Sequence, residues 1–176
     1  MTDDDELLLL GALSDAAMHG YELNARLQRW QAYLPGAPRP STAYARLEQL
    51  ARQGLVQTHA ERPGRYGERR VYGLTEAGRA LLRGLLRAAL PDPARPVERP
   101  ALFLRALPPD EWRALLRERL SKLDGPRTEL QALVDSHSPL IPVHWLSRLR
   151  LGQIETERRW IETLLTEATI APGDGA

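Results

Sequence analysis

Apolar positions recur at two different spacings in the first half of the chain. Glu6 to Leu13 is a short, almost wholly apolar stretch that predicts a first helix, and Gly20 to Trp30 sets Tyr21, Leu23, Leu27 and Trp30 at helical spacing for a second. Pro35, Gly36, Pro38 and Pro40 then mark a loop. Ser41 can cap a third helix, with Tyr44, Leu47, Leu50 and Ala51 inward and Gly54 as its C-terminal stop. Leu55 to His59 and Arg70 to Leu74 predict two short strands around the turn chemistry of Arg62 to Glu68. Thr75 caps a fourth helix that ends before Pro91.

Helix, helix, helix, strand, tip, strand, helix is the order of a winged helix-turn-helix over residues 1–90. Four prolines follow in residues 91–100, which predicts a linker, because proline cannot sit in a helix interior. Residues 101–170 predict an all-helical domain and 171–176 a flexible tail. Pro108-Pro109-Asp110-Glu111 starts one helix, lined by Trp112, Leu115, Leu116, Leu120, Leu123, Leu130, Leu133 and Val134, and Gly125-Pro126 must kink or break it. Pro142 opens a last helix on which Leu151, Ile154, Ile161 and Leu165 form a narrow 3-4 seam. Such a seam predicts a partner helix and so a homodimer; packing inside its own subunit is the other reading. The fold class is therefore mainly α (α+β), a winged helix followed by a helical dimerisation domain.

Charge sharpens this picture. The net charge is only +1, but residues 39–87 hold ten arginines against four glutamates, a local +6, whereas the chain from Pro91 onward is at −1. A local basic excess is the footprint expected of a phosphate-binding surface, although an arginine-rich solvated face would look similar. With no cysteine, disulfides, thiolate metal sites and cysteine nucleophiles are excluded. The acidic start Asp3-Asp4-Asp5-Glu6 is unlike a signal peptide, and no apolar run is long enough to span a membrane, so a cytoplasmic protein is expected.

The third helix carries Thr42, Arg46, Gln49 and Gln53 as a polar stripe opposite its leucines. A helix entering the major groove needs such a stripe, arginine pairing with guanine and glutamine with adenine. Ser41, Thr42 and Tyr44 stand at its N-terminus, where hydroxyls and free amides suit a phosphate oxygen; Ser41 can equally be a cap, and Tyr44 can be core with its hydroxyl at the rim. In the wing, alternation puts Arg70 on the face of Tyr72, leaving Arg65 and Arg69 as the expected DNA contacts. His19 can touch phosphate or satisfy the turn. His59, His137 and His144 have no ligand spacing, and there is neither a nucleophile elbow nor a P-loop nor a dinucleotide fingerprint, so no metal, cofactor or catalytic activity is expected.

Three patches, Met18-His19-Gly20-Tyr21-Glu22-Leu23, Thr42 to Val56 and Arg69 to Arg79, resemble the PadR family of transcriptional regulators in order and spacing over residues 6–90. The all-helical remainder is similar to the longer members. Ser41, Ala43, Ala45, Arg46 and Gly73 depart from the family's usual residues, which leaves the fold intact but prevents transfer of an operator sequence. The resemblance implies a repressor of double-stranded DNA and adds Tyr21 to the expected contacts. It also implies that Trp112, Trp145 and Trp160, otherwise packing residues, line a pocket for a small aromatic effector. A MarR-like or ArsR-like regulator would lack the His19 to Leu23 signature. A winged-helix adaptor that does not read DNA would have no need of the basic stripe.

Overall fold

The computed structural model describes residues 3–31, 34, 40–61, 69–136 and 141–170. The chain divides into two compact units, Met1–Leu90 with Arg95–Pro109, and Pro91–Ala94 with Asp110–Ala176.

In the first unit, helix α1 (Asp3–Ala12) opens with four acidic residues, the sign its N-terminal dipole favours. Leu7 to Leu10, Ala12 and Leu13 are all buried, so the helix is apolar on every side and forms the centre of the core. Arg26 donates to the carbonyl of Ala12 at 2.7 Å and closes its C-terminal end. Strand β1 (Met18–His19) leads straight into α2 (Gly20–Gln31). The Glu22 carboxylate accepts the His19 backbone N–H at 2.8 Å, half of a capping box that fixes where α2 begins. Helix α3 (Pro40–Arg52) starts one residue before Ser41, so Ser41 lies inside the first turn and is not its cap. Proline suits that first position because its missing N–H has no helical partner there anyway. Gly54, at φ +73°, ends α3: the Leu55 N–H reaches back to Leu50 and the Gly54 N–H to Ala51, the paired bonds of a Schellman motif.

Strands β2 (Val56–Glu61) and β3 (Arg69–Leu74) pair antiparallel, Thr58 opposite Tyr72 and Ala60 opposite Arg70. Strand β1 adds to the other edge of β3, with Met18 opposite Tyr72, giving the order β1-β3-β2. Two residues gave no periodic signal, which is why sequence patterning passed over β1. Thr75 caps α4 (Glu76–Ala89) as expected, accepting from the Gly78 N–H at 3.0 Å and donating to the Gly54 carbonyl at 2.7 Å. One hydroxyl thus links the end of the third helix to the start of the fourth. Gly78 is required because any Cβ there would collide with the Leu55 carbonyl.

The segment 91–100 is not the linker its prolines suggested. Pro91, Val97 and Pro100 are buried, and Glu98–Ala101 forms a one-turn helix, α5. Proline is excluded from helix interiors but not from a first turn, and one turn is all α5 has. Arg99 pairs with Asp4 at 2.7 Å and Arg95 with Asp3 at 3.2 Å, while Phe103 meets Trp30 edge-on at 5.5 Å. Residues 95–109 therefore belong to the first unit, which extends past the expected boundary at 90.

The second unit is built on α6 (Pro109–Asp135) and α7 (Ile141–Ile170). Helix α6 runs through Pro126 without a break, with Pro126 exposed and one backbone donor missing there. Arg119 is fully buried, donating to Glu157 of α7 and to the Asp92 carbonyl. Arg158 of α7 reaches the Leu120 carbonyl at 2.9 Å and the Asp124 carboxylate at 2.6 Å. These bonds hold the two helices antiparallel. They also fix the rotation of α7: Leu151, Ile154 and Ile161 are buried, as are Leu116 and Leu123 of α6. The seam expected to pair subunits is spent inside its own unit, with Leu165 half-buried at its end.

Candidate nucleic-acid interface

Ala43, Leu47 and Leu50 turn α3's apolar face into the core. At about 100° per residue, Ala45 and Arg52 then stand at the middle of the outward face, Glu48 and Tyr44 on the flank toward β3, and Thr42, Gln53 and Arg46 on the other. Thr42, Tyr44, Ala45, Glu48, Arg52 and Gln53 are exposed, and Gln49 is half-buried.

Arg46 does not project outward as expected. It lies on the flank beside α1, with Nη2 3.6 Å from the Asp5 carboxylate, both side chains about three-quarters covered. Forty-one residues separate the two in sequence, so no local pattern could have announced the pair. Arg46 also partly counters a shift at Glu6, whose carboxyl is raised above its ordinary value by burial first and by Asp3 second.

An open groove of about 560 Å³ lies where α2, α3 and β3 meet, lined by His19, Tyr21, Tyr44, Arg70 and Tyr72. Tyr72 is buried and forms its floor. The Tyr44 hydroxyl donates to the Gly20 carbonyl at 2.7 Å, tying α3 to the start of α2, and a Cβ at Gly20 would strike the tyrosine ring. Burial chiefly, and Tyr72 secondarily, push the Tyr44 pKa up, so the hydroxyl keeps its proton and spends it on α2. Tyr44 thus holds the frame with its hydroxyl while its side chain lines the groove. The ring of His19 stacks on that of Tyr21, centroids 5.6 Å apart and planes 13° from parallel, while its backbone N–H serves the turn. Tyr21 is well exposed, at 58%.

Arg70, set aside because it shares a face with Tyr72, is brought into the groove by that alternation, since the Tyr72 face is the one turned toward α3. Its Nη1 stands 3.6 Å from Glu48. Arg65 lies outside the described residues, as does the side chain of Arg69; of Ser41 only the backbone is described. Part of the local basic excess is answered by acids: Arg46 by Asp5, Arg70 by Glu48, Arg83 by Glu76. Arg52 has no acidic partner among the described residues. Of the three tryptophans assigned to an effector pocket, Trp112 is buried whereas Trp145 and Trp160 are 67% and 41% exposed, so no one enclosed pocket holds all three. Among the described residues no group of three or more acidic or histidine side chains could hold a metal, and no helix is long and apolar enough to cross a membrane.

Residues 9–84 match the model of the transcriptional regulator PadR-like family. A protein of 37.1 kDa in transposon TN4556 of Streptomyces fradiae, itself uncharacterized, is 36% identical over 81 residues, 46% of this chain and 21% of that protein. The chain thus matches about a fifth of that relative's length. Among solved structures, Bacillus subtilis PadR in complex with operator DNA is 20% identical with a TM-score of 0.46, covering 93% of this chain and 98% of that one. The smu.1604c protein of Streptococcus mutans UA159 is 21% identical with a TM-score of 0.45, covering 92% and 98%. Bacillus subtilis PadR in complex with p-coumaric acid is 19% identical with a TM-score of 0.43, covering 94% and 99%.

Proposed function

We propose, from the match of residues 9–84 to the PadR-like family model, that this chain is a PadR-like sequence-specific repressor of double-stranded DNA that acts in the cytoplasm as a homodimer. One observation carries the reading. Helix α3 spends its apolar face on the core and leaves Thr42, Ala45, Glu48 and Arg52 outward, beside a groove where Arg70, Tyr21 and the N-terminus of α2 converge. Backbone amides at a helix start, an exposed phenol and a guanidinium are phosphate-positioning groups, and an outward polar helix face next to them is what the major groove admits. Arg65 and Arg69 of the wing complete the phosphate contacts.

Two subunits sharing two half-sites about 34 Å apart would supply the affinity one module lacks. The surface assigned to pairing is the exposed apolar face at the start of α7, Trp145, Leu146 and Leu149, because an apolar patch of this kind marks an interface. The same proposal includes an aromatic effector that stacks on the exposed Trp145 or Trp160; fluorescence quenching lost in Trp145→Phe would identify the ring.

The deciding experiment selects duplexes bound by the full chain from random and genomic DNA. Enrichment of one motif, with log affinity falling against log salt by about 0.9 per neutralised phosphate, is the expected result. No enrichment over input would leave the adaptor reading in possession.

A further inference from the structure

The flank of α3 that faces the wing strand carries an acid where a phosphate-binding surface should have none. Glu48 is exposed, its side chain at 56% and that of Arg70 at 64%, and the 3.6 Å between them is too long for a hydrogen bond. The carboxylate is thus neither buried nor spent on the fold. Toward the N-terminus of α3 its outward neighbours are short, Ala45 at the centre and Thr42 beyond it, and leave room for a base edge to approach, while Arg52 stands one turn further along the helix.

We propose that Glu48 is a specificity-determining residue that selects cytosine at one base pair of the target duplex, with Arg70 as its positioning residue; this rests on the DNA-reading function above. An ionised carboxylate only accepts hydrogen bonds. In the major groove, guanine presents the acceptors N7 and O6 and thymine presents O4, all of which repel it. Adenine offers the N6 amino group but sets the N7 acceptor beside it. Cytosine offers the N4 amino group with no acceptor on that side, so it is the one base whose edge suits Glu48. Arg70 does two things. Its charge offsets the repulsion between Glu48 and the phosphates, and its position on β3 lets it reach the flanking phosphate while steering the carboxylate toward the groove.

The test uses the full chain and the base-preference profile obtained from selected duplexes. Wild type is expected to show one position where replacing cytosine weakens binding about 5- to 100-fold. Glu48→Gln supplies an amide that both donates and accepts, so preference there should move from cytosine to adenine, with all other positions unchanged. Arg70→Ala should weaken every duplex, flatten the salt slope by about one and blunt the cytosine preference. Because both side chains are exposed, unchanged melting curves are expected and certify the fold. A Glu48→Gln profile identical to wild type, or a gain of equal size on selected and random DNA, overturns the proposal and reduces Glu48 to a source of repulsion. Failure of wild type to enrich any motif overturns the DNA reading itself, and this inference with it, and is told apart because it needs no variant.

Discussion

Helices α3 and α7 each keep one face for the core and one for the outside, but the outer faces have opposite chemistry. On α3 the outward side chains are Thr42, Ala45, Glu48 and Arg52, polar or small. On α7 they include Trp145, Leu146 and Leu149, apolar and large, opposite a buried Leu151, Ile154 and Ile161. A polar outer face can stay in water until a charged partner arrives, whereas an apolar one is unfavourable until it is covered. The first therefore suits a reversible encounter with a polyanion and the second a lasting contact with another copy of the chain.

The two apolar faces of α7 separate sharply on mutation, and this is the largest effect expected. Ile154→Asp buries an unpaired charge and should destabilise the chain by about 4 kcal/mol or more, read as loss of a cooperative thermal transition. Leu149→Glu should leave stability within about 0.5 kcal/mol yet convert the proposed dimer to a monomer in sedimentation at micromolar concentration. A Leu149→Glu dimer as tight as wild type would remove the pairing surface from this face.

Next in size is the bond set that fixes the rotation of α7. Arg119→Met removes the guanidinium but leaves Glu157 and the Asp92 carbonyl without their donor. Removing one partner of a buried pair costs about 3–5 kcal/mol. Glu157 keeps a fifth of its side chain in water, so about 2–3 kcal/mol is expected in denaturant unfolding. A loss that small substitutions elsewhere on α6 also produce would mean the arginine is merely filling space.

These helices also show what was legible beforehand. Both were recognised from their periodicity, and the buried sets Leu47 with Leu50 on α3 and Leu151 with Ile154 and Ile161 on α7 follow the 3-4 rule that apolar burial imposes. What the rule leaves undecided is which of two apolar stripes on one helix meets its own unit. On α7 that was decided by Arg119 and Arg158, which bond to elements 27 to 38 residues away, beyond any local pattern. The same holds for Arg46, turned aside by Asp5. Arg70 was closer to legible, since its alternation with Tyr72 was seen and only the direction of that face was missing. The 91–100 segment failed for another reason: proline marks where a long helix cannot run, and says nothing about whether the turn is buried.

On α3 the comparison is sharpened by two arginines six residues apart. Arg52→Ala should weaken binding to every duplex alike and lower the salt slope by about one, with no change in melting. Arg46→Ala should leave base preference intact and instead lose the Asp5 pair, a change of about 0–1 kcal/mol seen in thermal unfolding. Reversed outcomes, a base-specific loss at Arg46 and none at Arg52, would return the reading face to its expected side.

The smallest effect lies where that flank of α3 meets α1. Glu6 has its carboxyl raised above the ordinary 4.5 because burial, and then Asp3, penalise the charged form, while Arg46 pulls the other way. A raised folded pKa means that the folded chain holds the proton more tightly than the unfolded one. The associated stability is therefore fully present below the unfolded value and is lost as pH rises through the folded value. At neutral pH the ionised Glu6 costs the fold a little, so Glu6→Gln should raise the melting temperature, within about 2 °C for a chain of this size. The gain should shrink as pH falls through the folded value toward 4.5 and be gone below it, where wild type is protonated in both states. In an Arg46→Ala background the compensating charge is gone, so the gain from Glu6→Gln at neutral pH should grow. Melting curves of the four chains across that pH range measure the coupling, and a gain independent of Arg46 would show that the arginine faces away from α1 after all.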